Sequence, residues 1–284
     1  MNSSVLLTTS DAKNLEHYFT CGALRYCKNE LSQSSSFWRD ADVEAIKSSL
    51  PSERDVFVDL GCGPGLYAKA LSPSFRVSYL VDISKQMLKS AGENLSGQSG
   101  LEYALIQGDL YDLRFAASSI SFVLATGASM CYGLRALEDL LTKLYNELKC
   151  GGRMYFEVWN KSGLLVCSHM GHYQFSSLRG STRNLDINRI NEFMNDGIIE
   201  ERFCGQAVPV TAYSVDWVID TLEAIGYKLI KYFGRKAAAL FFSPRKLDRL
   251  IAERSRDLLR LEHLLSEDTE IIKVCPKVVF VVER

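Results

Sequence analysis

The stretch Asp55–Gly65, DVFVDLGCGPG, runs from apolar and β-branched residues straight into three glycines within five positions. A run of that length and composition is expected to be a buried parallel strand, and the glycines punctuate a tight strand-to-helix turn. Residues without a Cβ take positive φ at no steric cost and let a bound molecule touch the backbone, so the turn should face a ligand. A dinucleotide fold would have glycine or alanine at position 66, where this chain has Leu66. The resulting G-x-G-x-G spacing suits a ligand with no pyrophosphate to press against the helix N-terminus.

Outward from this turn, strands and helices alternate. The pattern predicts a helix over Leu66–Leu71, a strand over Arg76–Val81, a helix over Ser84–Asn94 capped by its serine, and strands over Leu101–Gln107 and Ile120–Ala125. Leucines at helical spacing predict a helix over Ala136–Leu148, halted by Gly151 and Gly152, with a fifth strand over Arg153–Trp159. The alternation fails from Lys161 to Pro209 and resumes with a helix over Ser214–Ile225, a strand over Tyr227–Tyr232, a long helix over Pro244–Leu265 and a last strand over Lys277–Val282. Such alternation argues an α/β fold, a doubly wound and mostly parallel sheet. The expected organisation is an N-terminal helical lid over residues 1–50, a ligand-binding core over 51–160, a cap inserted after strand five over 161–212, and the remainder of the core over 213–284.

Two carboxylates sit at the ends of the next two strands. Asp82 closes the second strand beside the glycine turn, where it can accept from both hydroxyls of a ribose. Asp109, in Gly108-Asp109-Leu110, closes the third and can accept from an exocyclic adenine amine. Open sheets bind ligands at the carboxyl edge, and three such pieces on three successive strands are hard to reach by chance.

The ordered series VDLGCGPGLYAKAL, YLVDISKQMLKSA, LIQGDLYDL and LKCGGRMYFEV, over roughly residues 55–158, resembles the motif series of class I S-adenosylmethionine-dependent methyltransferases. The resemblance implies a Rossmann-like sheet of seven strands in the order 3-2-1-4-5-7-6 with the seventh antiparallel. It also implies S-adenosyl-L-methionine as cofactor and S-adenosyl-L-homocysteine as product. Carried onto this chain, Asp59, Gly61, Cys62, Gly63 and Gly65 border the methionine and ribose, and Asp82 takes the ribose hydroxyls. Ile83 and Met87 lie along the adenine, Asp109 and Leu110 meet its amine edge, and Ala125 and Thr126 approach the amino-acid end. The chain departs from the family at Ser121, where many members carry aspartate. Its tail, Leu258–Leu265 followed by Val278–Val282, resembles that of members acting on quinones, small metabolites and wobble-position tRNA uridines.

Methyl transfer from a sulfonium is an in-line displacement, and much of its acceleration comes from alignment and exclusion of water. An oxygen or protonated-amine acceptor also needs a proton acceptor, for which Glu157, His172 and Tyr173 are the candidates. Tyr18 and Tyr26 are candidates to close over the cofactor. Cys167, His169 and His172 could be mistaken for metal ligands, but no second ligand cluster accompanies them and the transfer needs no metal.

The 284 residues carry a formal net charge of −1 and no long lysine–arginine run, which disfavours a polynucleotide substrate. The basic residues of the long helix after Pro244 are interleaved with acids, the pattern of a solvated face. Eight scattered cysteines without a C-x-x-C pair, no signal-like N-terminus and no membrane-length apolar run predict a cytoplasmic enzyme, monomeric or homodimeric, with no membrane association. The expectation is methylation of an N or O atom of a small-molecule metabolite in a biosynthetic setting. The alternatives are a tRNA-modifying methyltransferase and a binding module that has lost transfer chemistry; a nicotinamide dehydrogenase is disfavoured by Leu66.

Overall fold

A computed structural model describes residues 9–170 and 187–284. Two helices, α1 (Thr9–Glu30) and α2 (Gln33–Lys47), precede the sheet. The serines at 34–36 belong to the first turn of α2, whose N-cap is Ser32. The core then alternates as β1 (Val56–Leu60), α3 (Leu66–Leu71), β2 (Val77–Asp82), α4 (Lys85–Leu95), β3 (Tyr103–Gln107), β4 (Ile120–Ala125), α5 (Leu137–Glu147) and β5 (Leu148–Trp159). After it come α6 (Lys161–Met170), α7 (Ile187–Asp196), β6 (Ile198–Phe203), β7 (Gln206–Thr211), α8 (Val215–Ile225), β8 (Lys228–Arg235), α9 (Pro244–Ser266), α10 (Thr269–Ile272) and β9 (Lys277–Glu283).

Seven strands form one sheet in the order β3-β2-β1-β4-β5-β9-β8, with β9 antiparallel to both neighbours and the pairs from β3 through β5 parallel. This is the expected 3-2-1-4-5-7-6 arrangement. Alternate residues of each strand enter opposite faces. Val58, Val123, Phe156 and Phe280 pack with α5 and α8 on one side, and Phe57, Phe122, Tyr155 and Val279 pack with α3 and α4 on the other. Serine hydroxyls start four of the described helices: Ser32, Ser84, Ser214 and Ser243 accept from the backbone N–H of Ser35, Met87, Trp217 and Lys246.

Several local expectations change. β5 begins at Leu148, five residues early, because Gly151 and Gly152 lie inside the strand at an irregularity in its pairing with β4. Segment 161–212 contains a β-hairpin, β6–β7, turning through Cys204 and Gly205, both at positive φ (49° and 79°), as a two-residue hairpin loop requires. β8 continues past Tyr232 to Arg235, since Gly234 leaves room for the Cys275 side chain. At Ser121 the hydroxyl accepts from the backbone N–H groups of Asp55 and Val56, at 3.1 and 3.3 Å. No helix among the described residues is long and apolar enough to cross a membrane.

Candidate active site

The glycine turn is held rigidly. Gly61, Gly63 and Gly65 all take left-handed φ, at 72°, 53° and 71°. A Cβ on Gly61 would stand 2.5 Å from the Cβ of Ser129, and one on Gly65 would stand 2.9 Å from that of Ala91, so close packing demands both glycines. At Gly63 the nearest atom is Cε1 of Tyr26, at 3.8 Å, so this glycine leaves its backbone open beneath the tyrosine. Ser129, just beyond β4, donates to the carbonyl of Leu60 at 2.9 Å and ties the two strand ends together.

Asp82 orders the turn. Its Oδ2 accepts from Gly63 N–H and its Oδ1 from Ser84 N–H, each at 2.8 Å. Burial pushes its pKa up to about 6, opposed by these backbone donors. Asp59, one strand over, is 1 % exposed, and its Oδ2 has no hydrogen-bond partner among the described residues. Burial, helped by the charge of Asp82, raises the Asp59 carboxyl to about 8.

Together these residues border a cavity of about 330 Å³ at the carboxyl edge of the sheet, within the range of small-molecule sites. Of the residues singled out from sequence, Gly61, Cys62, Gly63, Asp82, Ile83, Met87, Asp109, Leu110, Thr126 and Tyr26 line it. Asp59, Gly65, Ala125 and Tyr18 do not; Asp59, Ala125 and Tyr18 are buried behind the wall. Asp109 accepts from Tyr111 N–H at 2.9 Å and pairs with Arg135 at 3.4 Å. His172 and Tyr173 lie outside the described residues.

Two elements close the cavity. Helix α1 crosses the carboxyl edge, joined to the cap of α4 by Thr20 and Ser84 (3.0 Å) and to the end of β3 by Glu16 and Gln107 (3.1 Å). Its Phe19 meets Tyr132 edge-on at 5.1 Å. Beside α1, the β6–β7 hairpin docks on the segment after β4: Tyr132 bridges to Val210, and Gly133 N–H donates to Pro209 O at 2.9 Å. Glu201 of β6 enters the wall there and accepts from the Tyr132 hydroxyl at 2.6 Å.

The far end is an ion cluster that the sequence reading missed. Arg235, at the end of β8, donates from Nε to Asp42 Oδ1 of α2 at 3.0 Å, from Nη1 to Glu157 Oε2 of β5 at 2.9 Å, and from Nη2 to the Tyr67 hydroxyl of α3 at 3.0 Å. Lys277, at the start of β9, donates to Glu157 Oε1 at 2.9 Å and lies 4.3 Å over the Trp159 ring. Glu157 is fully buried and does not line the cavity. Burial opposes its charge, but Arg235 and Lys277 outweigh that and hold it at about 2. A carboxylate so held between two cations is a poor proton acceptor at neutral pH. Lys236 lines the cavity at left-handed φ (59°), and burial next to Arg235 and Lys277 lowers it to about 8.

Comparison with known proteins agrees with this geometry. Residues 57–152 match the model of a family described as a methyltransferase domain. The structure resembles magnesium protoporphyrin IX methyltransferase from Synechocystis, solved with bound S-adenosylhomocysteine, with a TM-score of 0.59 and 14 % identity over 96 % of this chain and 100 % of that one. It resembles an S-adenosylmethionine-dependent methyltransferase from Clostridium acetobutylicum with a TM-score of 0.56 and 15 % identity over 95 % and 98 % of the two chains. For geranyl diphosphate C-methyltransferase from Streptomyces coelicolor the TM-score is 0.51, with 14 % identity over 86 % of this chain and 78 % of that one. No curated protein sequence matches the chain.

Proposed function

We propose that the chain is a class I S-adenosylmethionine-dependent methyltransferase, supported by the methyltransferase-domain match over residues 57–152, and that it methylates a nitrogen or oxygen atom of a small-molecule acceptor. The observation that carries this reading is the enclosure of the cavity: α1 and the adjoining β6–β7 hairpin cover a space of small-molecule size in front of the glycine turn. Segment 161–212 would then serve as the acceptor-binding cap and residues 1–50 as the lid.

The wall suits the cofactor. Gly63 offers open backbone, Asp82 retains lone pairs for ribose hydroxyls beside its two N–H donors, and the apolar side chains of Ile83, Met87 and Leu110 flank the place for the adenine ring. When bound, S-adenosylmethionine supplies an activated methyl group. The chain's own part is to fix both reactants and exclude water, the work of the aromatic residues Phe19, Tyr26 and Tyr132.

Surface charge also favours a small acceptor. On α9, Arg249 pairs with Glu253 and Arg254 with Asp257, so acids interleaved with its cations weaken it as a track for a phosphate backbone. The test is incubation of the protein with methyl-labelled S-adenosylmethionine, separately with the small-molecule fraction of a cell extract and with total RNA. The expected result is a labelled small molecule whose methyl sits on nitrogen or oxygen by mass spectrometry. Label in RNA alone would overturn the reading.

A further inference from the structure

Strand β6 carries an acidic residue where its alternation calls for an apolar one. Ile199 is buried on the inward face, as are Val208 and Val210 across the hairpin, whereas Glu200 and Arg202 point outward and pair with each other at 3.1 Å. Glu201 belongs to the inward series with Ile199, and it lines the cavity. A charge on such a face is costly unless it is partnered. The partner is Tyr132, whose hydroxyl donates to Oε2 at 2.6 Å.

Tyr132 belongs to the segment that leaves the central strand β4, and Thr126, Gly127 and Ser129 of that segment line the same cavity. The carboxylate therefore lines the same cavity as the glycine turn, on the side covered by the hairpin. We propose that Glu201, oriented by Tyr132, takes the proton of the acceptor, and that the acceptor is accordingly an alcohol, phenol or amine whose nucleophilic atom bears hydrogen. The proposal rests on the small-molecule reading above and narrows it.

The step balances within the groups named. A bond forms between the acceptor's oxygen or nitrogen and the methyl carbon, the carbon–sulfur bond breaks with its electron pair left on sulfur, and the acceptor's proton passes to Glu201. The groups facing Glu201 are Tyr132, Tyr18 from α1 and Lys277 from β9. Burial raises the Glu201 carboxyl above the usual carboxylate range, while the Tyr132 hydrogen bond and the charge of Lys277 oppose the rise. Burial raises both phenols as well, so they stay neutral across the working range. A raised carboxyl is better matched to proton transfer near neutrality than an ordinary one.

Glu201→Gln and Tyr132→Phe are compared with wild type in two measurements. Calorimetry reads the affinities for S-adenosylhomocysteine and for sinefungin, the analogue that places an amine where the methyl group would be. The second measurement is transfer of labelled methyl to the small-molecule fraction as a function of pH. In Glu201→Gln we expect homocysteine-analogue affinity within about twofold of wild type, a sinefungin affinity reduced at least about fivefold, and a transfer rate lower by about 10²-fold or more without its acidic limb. In Tyr132→Phe the carboxyl loses a donor and its pKa rises, so the acidic limb moves to higher pH, a shift that a purely structural role for the tyrosine would not produce. Should Glu201→Gln fold poorly, the Tyr132→Phe profile decides. Glu201→Gln transferring at the wild-type rate with the wild-type pH profile, or Tyr132→Phe with an unmoved limb, overturns the proposal. A wild-type protein that binds no S-adenosylhomocysteine would instead overturn the function from which the proposal starts.

Discussion

The backbone N–H of Gly63 donates to Oδ2 of Asp82 at 2.8 Å, so the carboxylate at the end of β2 also holds the glycine turn at the end of β1. One side chain thereby shapes the turn and presents acceptors to the cavity. Asp82→Ala removes both functions and is expected to weaken S-adenosylmethionine binding at least about tenfold, or ~1.4 kcal/mol. Equilibrium dialysis with labelled cofactor reads this directly, and an unchanged affinity would remove Asp82 from the site.

The glycines of the turn should separate into two kinds. Gly61→Ala drives a Cβ to within 2.5 Å of the Ser129 Cβ as well as straining a left-handed backbone, and should lower stability by about 2–3 kcal/mol. Gly63→Ala meets nothing closer than 3.8 Å and should lower stability by about 1 kcal/mol from backbone strain. Its larger effect should fall on cofactor affinity, because the added methyl group stands in the cavity under Tyr26. Denaturant unfolding of both variants checks the order, and equal stability losses would contradict it.

Asp59 gives the cofactor-free protein a pH dependence. Its carboxyl is at about 8 in the folded chain and near 4 when unfolded, so the unfolded state releases this proton first. Its contribution to stability is accordingly present below about pH 4 and is lost progressively as pH rises toward 8. Asp59→Asn keeps the shape without the charge and should stabilise the cofactor-free protein more at about pH 8 than at about pH 5. The expected gain is on the order of 1 kcal/mol, or about 2–4 °C in Tm. Thermal unfolding at the two pH values reads the difference; an equal effect at both would show that Asp59 does not titrate in that window.

Arg235→Ala strands Asp42 and Glu157 without their main counter-charge, a loss of about 3–5 kcal/mol for a buried pair with one partner removed. In wild type, Glu157 is held at about 2, so its stabilising charge is present above the unfolded value near 4 and is lost only as pH falls toward 2. Without Arg235 the carboxyl rises and protonation relieves the stranded charge, so the deficit relative to wild type should shrink on going from about pH 7 to about pH 4.5. A deficit constant over that interval would place its cause in lost packing and not in charge.

The core was legible because its signals are local. Asp55–Gly65 announces a strand and a turn, leucine spacing announces α5, and the motif order brought the sheet topology with it, as observed. What escaped depends on contacts distant in sequence. The β6–β7 hairpin turns through Cys-Gly in place of the Asn-Gly that marks such loops, so Glu201 looked like a residue of an irregular cap. The expected strand stopped at Tyr232, whereas the real one runs on through Gly234, where Cys275 packs closely, to Arg235. Glu157 was visible as an acid in the fifth strand, but which cations meet it there depends on β9 and β8 following β5 in the sheet.

The methyltransferase reading stands or falls with an adenosyl sulfonium fitting the cavity before the glycine turn. Isothermal calorimetry of the purified protein with S-adenosylhomocysteine, with NADH as control, measures that fit. The expected result is one S-adenosylhomocysteine bound per chain, a signal abolished or strongly weakened in Asp82→Ala, and no heat from NADH. Saturable binding of NADH with none of S-adenosylhomocysteine would contradict it.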